Sequence, residues 1–224
     1  MPATLTPRKI QSESIARSQV KAFGELIEPA DAKAIVVFVH GCGSGRHSEH
    51  DRFLANYLVE FGYGALLLDM LTPAEEAVDV QTGAYRRNVE LLAHRVLAAT
   101  DKLANVYEPD LPIALMGVGN GAAAALIAAA RHRGYLTAVI SRGGRPDLAG
   151  PDLERVTAPT LLLAGGDDYP GMIAARIAFG RLECERAIRI VPGASRLFEE
   201  PGGMEWVTRE TVRWLDRHLP TAIQ

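Results

Sequence analysis

Residues 34–39, Ala-Ile-Val-Val-Phe-Val, carry no polar side chain, and the run stops at His40-Gly41-Cys42-Gly43. Such a run suits a strand buried on both faces, as in a parallel sheet. The pattern recurs along the chain. Further strands are expected at 65–68, 111–116, 136–140, 160–164 and 187–191. Helical spacing predicts helices over 49–60, 83–103, 119–131, 173–182 and 204–218, with 72–76 as a polar stretch and 141–146 as a loop. Ser48 is placed to cap the first helix, with Asp51 three residues on. Strand and helix alternate at least five times. This points to an α/β architecture with a mostly parallel central sheet and helices on both faces. Weak alternation before residue 30 adds an expected antiparallel pair at the start.

The length of 224 residues allows one well-buried core and is short for two ordinary domains with a linker. A single domain over 1–224 is therefore expected. The formal charge of −3 and the lack of a basic block argue against a nucleic-acid surface. No apolar stretch is long enough to span a bilayer. The first residues lack the apolar centre of a signal peptide, and two cysteines are too few for a disulfide scaffold. These features predict a cytoplasmic protein with no membrane partner; oligomeric state is left open. No histidine pattern such as H-E-x-x-H suggests a metal, and no cofactor is expected.

In sheets of this kind, ligands bind beyond the carboxyl ends of the strands. There the segment Met116-Gly117-Val118-Gly119-Asn120-Gly121 leads into an alanine-rich helix. It has the outline of the nucleophile elbow G-x-S-x-G, a sharp strand-to-helix turn. Its central position is Gly119, which has no side chain. A plain glycine-rich turn is the bland alternative. A dinucleotide fingerprint would need glycine at Ala122.

At this point the chain resembles the dienelactone-hydrolase-like branch of the α/β hydrolases, the small members with no sizeable lid. The resemblance runs from about Ile35 to Leu219. It is carried by the stretches beginning at His40-Gly41-Cys42-Gly43, Leu66-Leu67-Leu68-Asp69, Ser141-Arg142-Gly143-Gly144 and Val191-Pro192-Gly193-Ala194. It implies a Ser-Asp-His triad in that chain order. Position by position, the nucleophile falls on Gly119, the acid on Asp168 and the histidine on Arg196, where the family pattern reads Gly-Ala-Thr-His-Leu-Phe. The backbone N–H groups of Asn120 and Cys42 are the implied oxyanion donors, with Gly43 in the same loop.

Glycine supplies no nucleophile, and arginine stays protonated and cannot act as a general base. Ordinary triad hydrolysis is therefore not expected. The leading reading is a pseudoenzyme whose pocket takes a small carbonyl or anionic ligand, such as a carboxylate. A second reading is a hydrolase, lyase or isomerase acting on a small carbonyl compound through Cys42, His40 or Asp168. A third is weak residual hydrolysis by a water in the oxyanion hole. Cys42 reads more simply as a small residue in a tight turn, because the motif places no base beside it. His40 reads as a loop-orienting residue. His50, His94, His132 and His218 are expected to face solvent. Arg196 is expected to pair with Asp168 in place of the lost imidazole. Arg46, Arg142, Arg145 and Arg196, with the helix after Gly119, form a candidate anion site; Arg142 and Arg145 could instead brace their own loop.

Overall fold

The computed structural model describes residues 8–11, 23–41, 47–107, 111–132 and 136–219. Eight strands form one sheet: β1 (Arg8–Gln11), β2 (Phe23–Ile27), β3 (Ile35–Val39), β4 (Gly64–Asp69), β5 (Ile113–Val118), β6 (Leu136–Arg142), β7 (Thr160–Gly165) and β8 (Arg186–Val191). Their order is β1-β2-β4-β3-β5-β6-β7-β8. β1 and β2 are the antiparallel pair expected at the start, and β2 joins β4 antiparallel. The remaining pairings are parallel. This is the mostly parallel α/β-hydrolase sheet that the sequence predicts.

The continuous apolar runs follow from burial on both faces. Ile35, Val37 and Val39 of β3 enter one core, while Val36 and Phe38 enter the other. The first core is closed by α3 (Val89–Lys102), α4 (Gly121–Arg131) and α5 (Tyr169–Arg181). The second is closed by α1 (Glu49–Glu60) and α6 (Gly203–His218). Helix α4 is buried along its length from Gly121 to Ala130. It packs on α3, on the sheet and on a 3-10 segment, Pro146–Arg155. Its alanines leave room for this threefold contact.

Two helix boundaries depart from the sequence reading. The predicted helix over 83–103 is α3 alone, and the polar stretch 72–76 opens a separate helix, α2 (Pro73–Thr82). Thr72 and Glu75 form a capping box, Pro73 occupies the first turn, and Gly83 closes the helix in the left-handed region. Polarity hid a helix start, because capping residues look like loop residues. Likewise α5 begins at Tyr169 rather than Ile173, with Asp168 as its N-cap. His218 also departs from expectation. Its ring packs on Trp214, with centroids 4.4 Å apart, and its side chain is nearly buried. No helix among the described residues is long and apolar enough to cross a membrane.

Candidate active site

The elbow forms at the end of β5. Gly119 has φ +58°, and its carbonyl accepts from the N–H groups of Ala122 (3.2 Å) and Arg145 (2.9 Å). The three glycines of the motif differ in what they require. A Cβ on Gly117 would strike the backbone of Ala122, and one on Gly121 would strike the carbonyl of Val39. Those two positions let α4 start against β5 and β3. A Cβ on Gly119 would meet none of the described residues within 4 Å. Its missing side chain is therefore not a packing requirement. It leaves open space at the spot where this turn presents a nucleophile.

Above Gly119 lies a cavity of about 570 Å³. Its walls include His40, Gly41, Arg86, Asn120, Arg145, Asp168 and Arg196. The fold thus brings Gly119, Asp168, Arg196 and Asn120 to the wall of one cavity. Gly41 lies against the Asn120 N–H, 3.0 Å from where a Cβ would stand. That N–H has no acceptor among the described residues. The Asn120 side chain turns away and donates to the Arg86 carbonyl at 2.7 Å. Cys42, Gly43 and Arg46 lie outside the described residues.

The expected Asp168–Arg196 pair does not form. Arg196 is exposed, and neither residue makes an ion pair among the described residues. Asp168 Oδ1 instead accepts from the Gly171 N–H at 3.2 Å, capping α5, while Oδ2 is buried without a partner among the described residues. A carboxylate at the N-terminus of a thirteen-residue helix gains a backbone hydrogen bond and the favourable end of the helix dipole. That local partner outcompetes a long, solvated arginine.

Arg142 is also corrected. It is 2% exposed, lies beneath the loop rather than on the cavity, and pairs with Asp51 of α1. Asp51 Oδ2 in turn sits 3.0 Å from His40 Nδ1. The carboxylate of Asp51, itself 1% exposed, thus ties β6 to the start of the loop after β3. His40 is therefore held in place by a partner that sequence reasoning missed. Asp51 was visible only as the residue whose N–H meets the Ser48 cap. Arg86 was missed as well, because it lies in the α2–α3 connection that the single long helix concealed.

Burial holds the His40 pKa below the ordinary histidine value of 6.5; the Asp51 charge opposes this and Arg142 reinforces it. The His218 pKa is lowered too, again chiefly by burial. Both groups resist protonation in the folded state more than in the unfolded chain. Their contribution to stability is complete above pH 6.5 and is lost as pH falls through the folded values. Thermal melts should show Tm falling as pH drops from 7 to 5. A smaller fall in a His40→Asn variant would assign part of the slope to His40; an unchanged slope in that variant would remove His40 as a source.

A family model described as the dienelactone hydrolase family matches residues 23–183. The chain belongs to the dienelactone hydrolase family. A crystal structure of dienelactone hydrolase from Anabaena variabilis ATCC 29413 is 39% identical, with a TM-score of 0.90, over 96% of this chain and 99% of that one. A dienelactone hydrolase-like promiscuous phosphotriesterase from metagenomic libraries shares the fold at 21% identity and a TM-score of 0.73. Two Mycobacterium tuberculosis proteins, of strains CDC 1551 / Oshkosh and H37Rv and provisionally named phosphoribosyl transferases, are 41% identical over 216 residues. Those residues make up 95% of this chain and 47% of each relative, so the chain spans about half their length. The dienelactone hydrolase model covers Gly119 and Asp168 and ends before Arg196.

Proposed function

We propose that this dienelactone hydrolase family member does not hydrolyse esters by the triad route and keeps its cavity to bind a small carbonyl or anionic ligand. The observation that carries this reading is Gly119: the turn and the open space above it persist, and the nucleophile does not. Arg196 in the histidine position cannot replace the base. The alternative chemistry has weaker support. His40 is buried and held by Asp51, and Asp168 is engaged as a helix cap. This chain matches only about half of each relative named a phosphoribosyl transferase, so that activity is not part of the proposal.

The test is direct. A fluorophosphonate probe and a panel of activated esters should give no labelling of the purified protein and no turnover above the buffer rate. Removal of a triad serine costs roughly a millionfold. Stoichiometric labelling would overturn the proposal. As further parts of it, we expect no binding to nucleic acid or to lipid vesicles.

A further inference from the structure

We propose that the outer face of α5 is where two copies of this chain meet, as an antiparallel helix pair about a two-fold axis. This contact is separate from whatever the cavity binds.

α5 reads Tyr-Pro-Gly-Met-Ile-Ala-Ala-Arg-Ile-Ala-Phe-Gly-Arg. A surface helix normally turns one apolar stripe to the core and polar residues to water; a helix apolar on every side is a covered one. The inner face of α5, with Gly171, Ala174, Ala175 and Ala178, is buried. At about 100° per residue, Tyr169, Ile173, Arg176, Ile177 and Gly180 fall together on the opposite face. All five are exposed, Tyr169 to 69%. The water side of α5 is therefore three apolar side chains, a glycine and one cation. α6 shows the ordinary pattern: its exposed residues are Glu205, Arg209, Arg213, Asp216 and Arg217, all charged.

Gly180 gives a second, independent sign. It is not among the glycines at positive φ, and a Cβ there would meet none of the described residues within 4 Å. Within this chain alanine would fit and would favour the helix more. A glycine is useful at this point where a neighbouring helix must come close.

The charges select a second copy as the occupant. Arg176 on the face and Asp167 just before the helix are exposed, and neither side chain has a partner among the described residues. A two-fold axis passing beside Ile173 runs two α5 helices antiparallel, an isologous contact. Ile173 then meets its own copy, and Tyr169 meets the partner's Ile177 and the gap at the partner's Gly180. Arg176 points toward the partner's Asp167, offset by about 4.5 Å along the axis, within reach of an arginine side chain. The symmetry makes this pair twice. A parallel arrangement would set Arg176 against its own copy. Pro170 and Gly171 of α5 also line the cavity over Gly119, so the interface adjoins the cavity wall.

The experiment is sedimentation velocity on the purified chain over about a hundredfold range of concentration, where mass action should show a monomer–dimer equilibrium. Ile173→Glu places like charges at the axis and should raise the dimer Kd by about thirtyfold or more, the effect of losing an interface hot spot. Arg176→Asp should weaken the dimer, and adding Asp167→Arg should restore it, because the exchange rebuilds both pairs. Gly180→Ala should move two readings in opposite directions, raising the Tm measured at low concentration and weakening association. Ile173, Arg176 and Asp167 are exposed, so their variants should keep the Tm of the monomer, and this separates lost association from lost folding. A chain that stays monomeric over the whole range would overturn the proposal. So would a dimer indifferent to Ile173→Glu, or a charge exchange that fails to restore association.

Discussion

Replacing Asp51 by alanine is expected to destabilise the protein by about 3–5 kcal/mol, the scale found when one partner of a buried ion pair is removed. The carboxylate is 1% exposed and serves two buried groups, Arg142 and His40. Without it the Arg142 guanidinium is left charged in the core. Burial already lowers its pKa, with Asp51 as the opposing influence. Two further polar atoms, Arg142 Nε and His40 Nε2, are buried without partners among the described residues, so the cluster has little slack. For a chain of this size the loss corresponds to a fall in Tm of roughly 6–20 °C. Urea denaturation and thermal melts would measure it. A double replacement, Asp51→Leu with Arg142→Met, should recover part of the stability, because it removes both charges rather than stranding one. If Asp51→Ala costs under about 1 kcal/mol, a surface-type value, the cluster is not the buried tie described above.

The fold was legible because each part of it has a short-range cause. Residues 34–39 are apolar on both faces of a strand, and the two cores receive alternate side chains from them. Ser48 caps α1 because its hydroxyl reaches the Asp51 N–H, a contact spanning three residues. The elbow was legible for the same reason: Gly117 and Gly121 are demanded by contacts that the motif itself encodes. The contents of the site were less legible. The Asp51–Arg142 pair joins residues 91 apart in sequence, and nothing near either residue announces the other. The α2 start was encoded in Thr72 and Glu75, but a capping box and a polar loop share the same residue types.

Asp168 shows why a site copied position by position can still be arranged differently. The residue stands where the triad acid is expected, at the end of β7. The side chain nevertheless serves the local helix. A capping hydrogen bond contributes about 1 kcal/mol. A hydrogen bond to a charged imidazolium contributes about 1.5–3 kcal/mol. Arg196 could in principle offer as much as the imidazolium. It is an exposed side chain, though, and would have to give up hydration and rotamer freedom to do so.

That balance leads to the second large effect. Gly119→Ser combined with Arg196→His should raise hydrolysis of an activated ester by about a thousandfold or more over the natural chain, since triad groups act as a unit. Gly119 already holds the elbow backbone, with free space for a side chain and the Asn120 N–H in place. A non-glycine residue at positive φ costs only about 1–2 kcal/mol, so the variant should fold. A histidine at 196 should draw Asp168 off the α5 cap, because the charged hydrogen bond outweighs the cap it replaces. Either single variant should stay near background, since a serine without a base and a base without a nucleophile are both idle. Adding Asp168→Asn to the double variant should remove most of the gain. Fluorophosphonate labelling would report the nucleophile, and ester kinetics the complete unit. A double variant no faster than Gly119→Ser alone would mean that Asp168 stays on its helix. The charge system would then have been lost together with its two side chains, and the cavity alone would remain of the ancestral site.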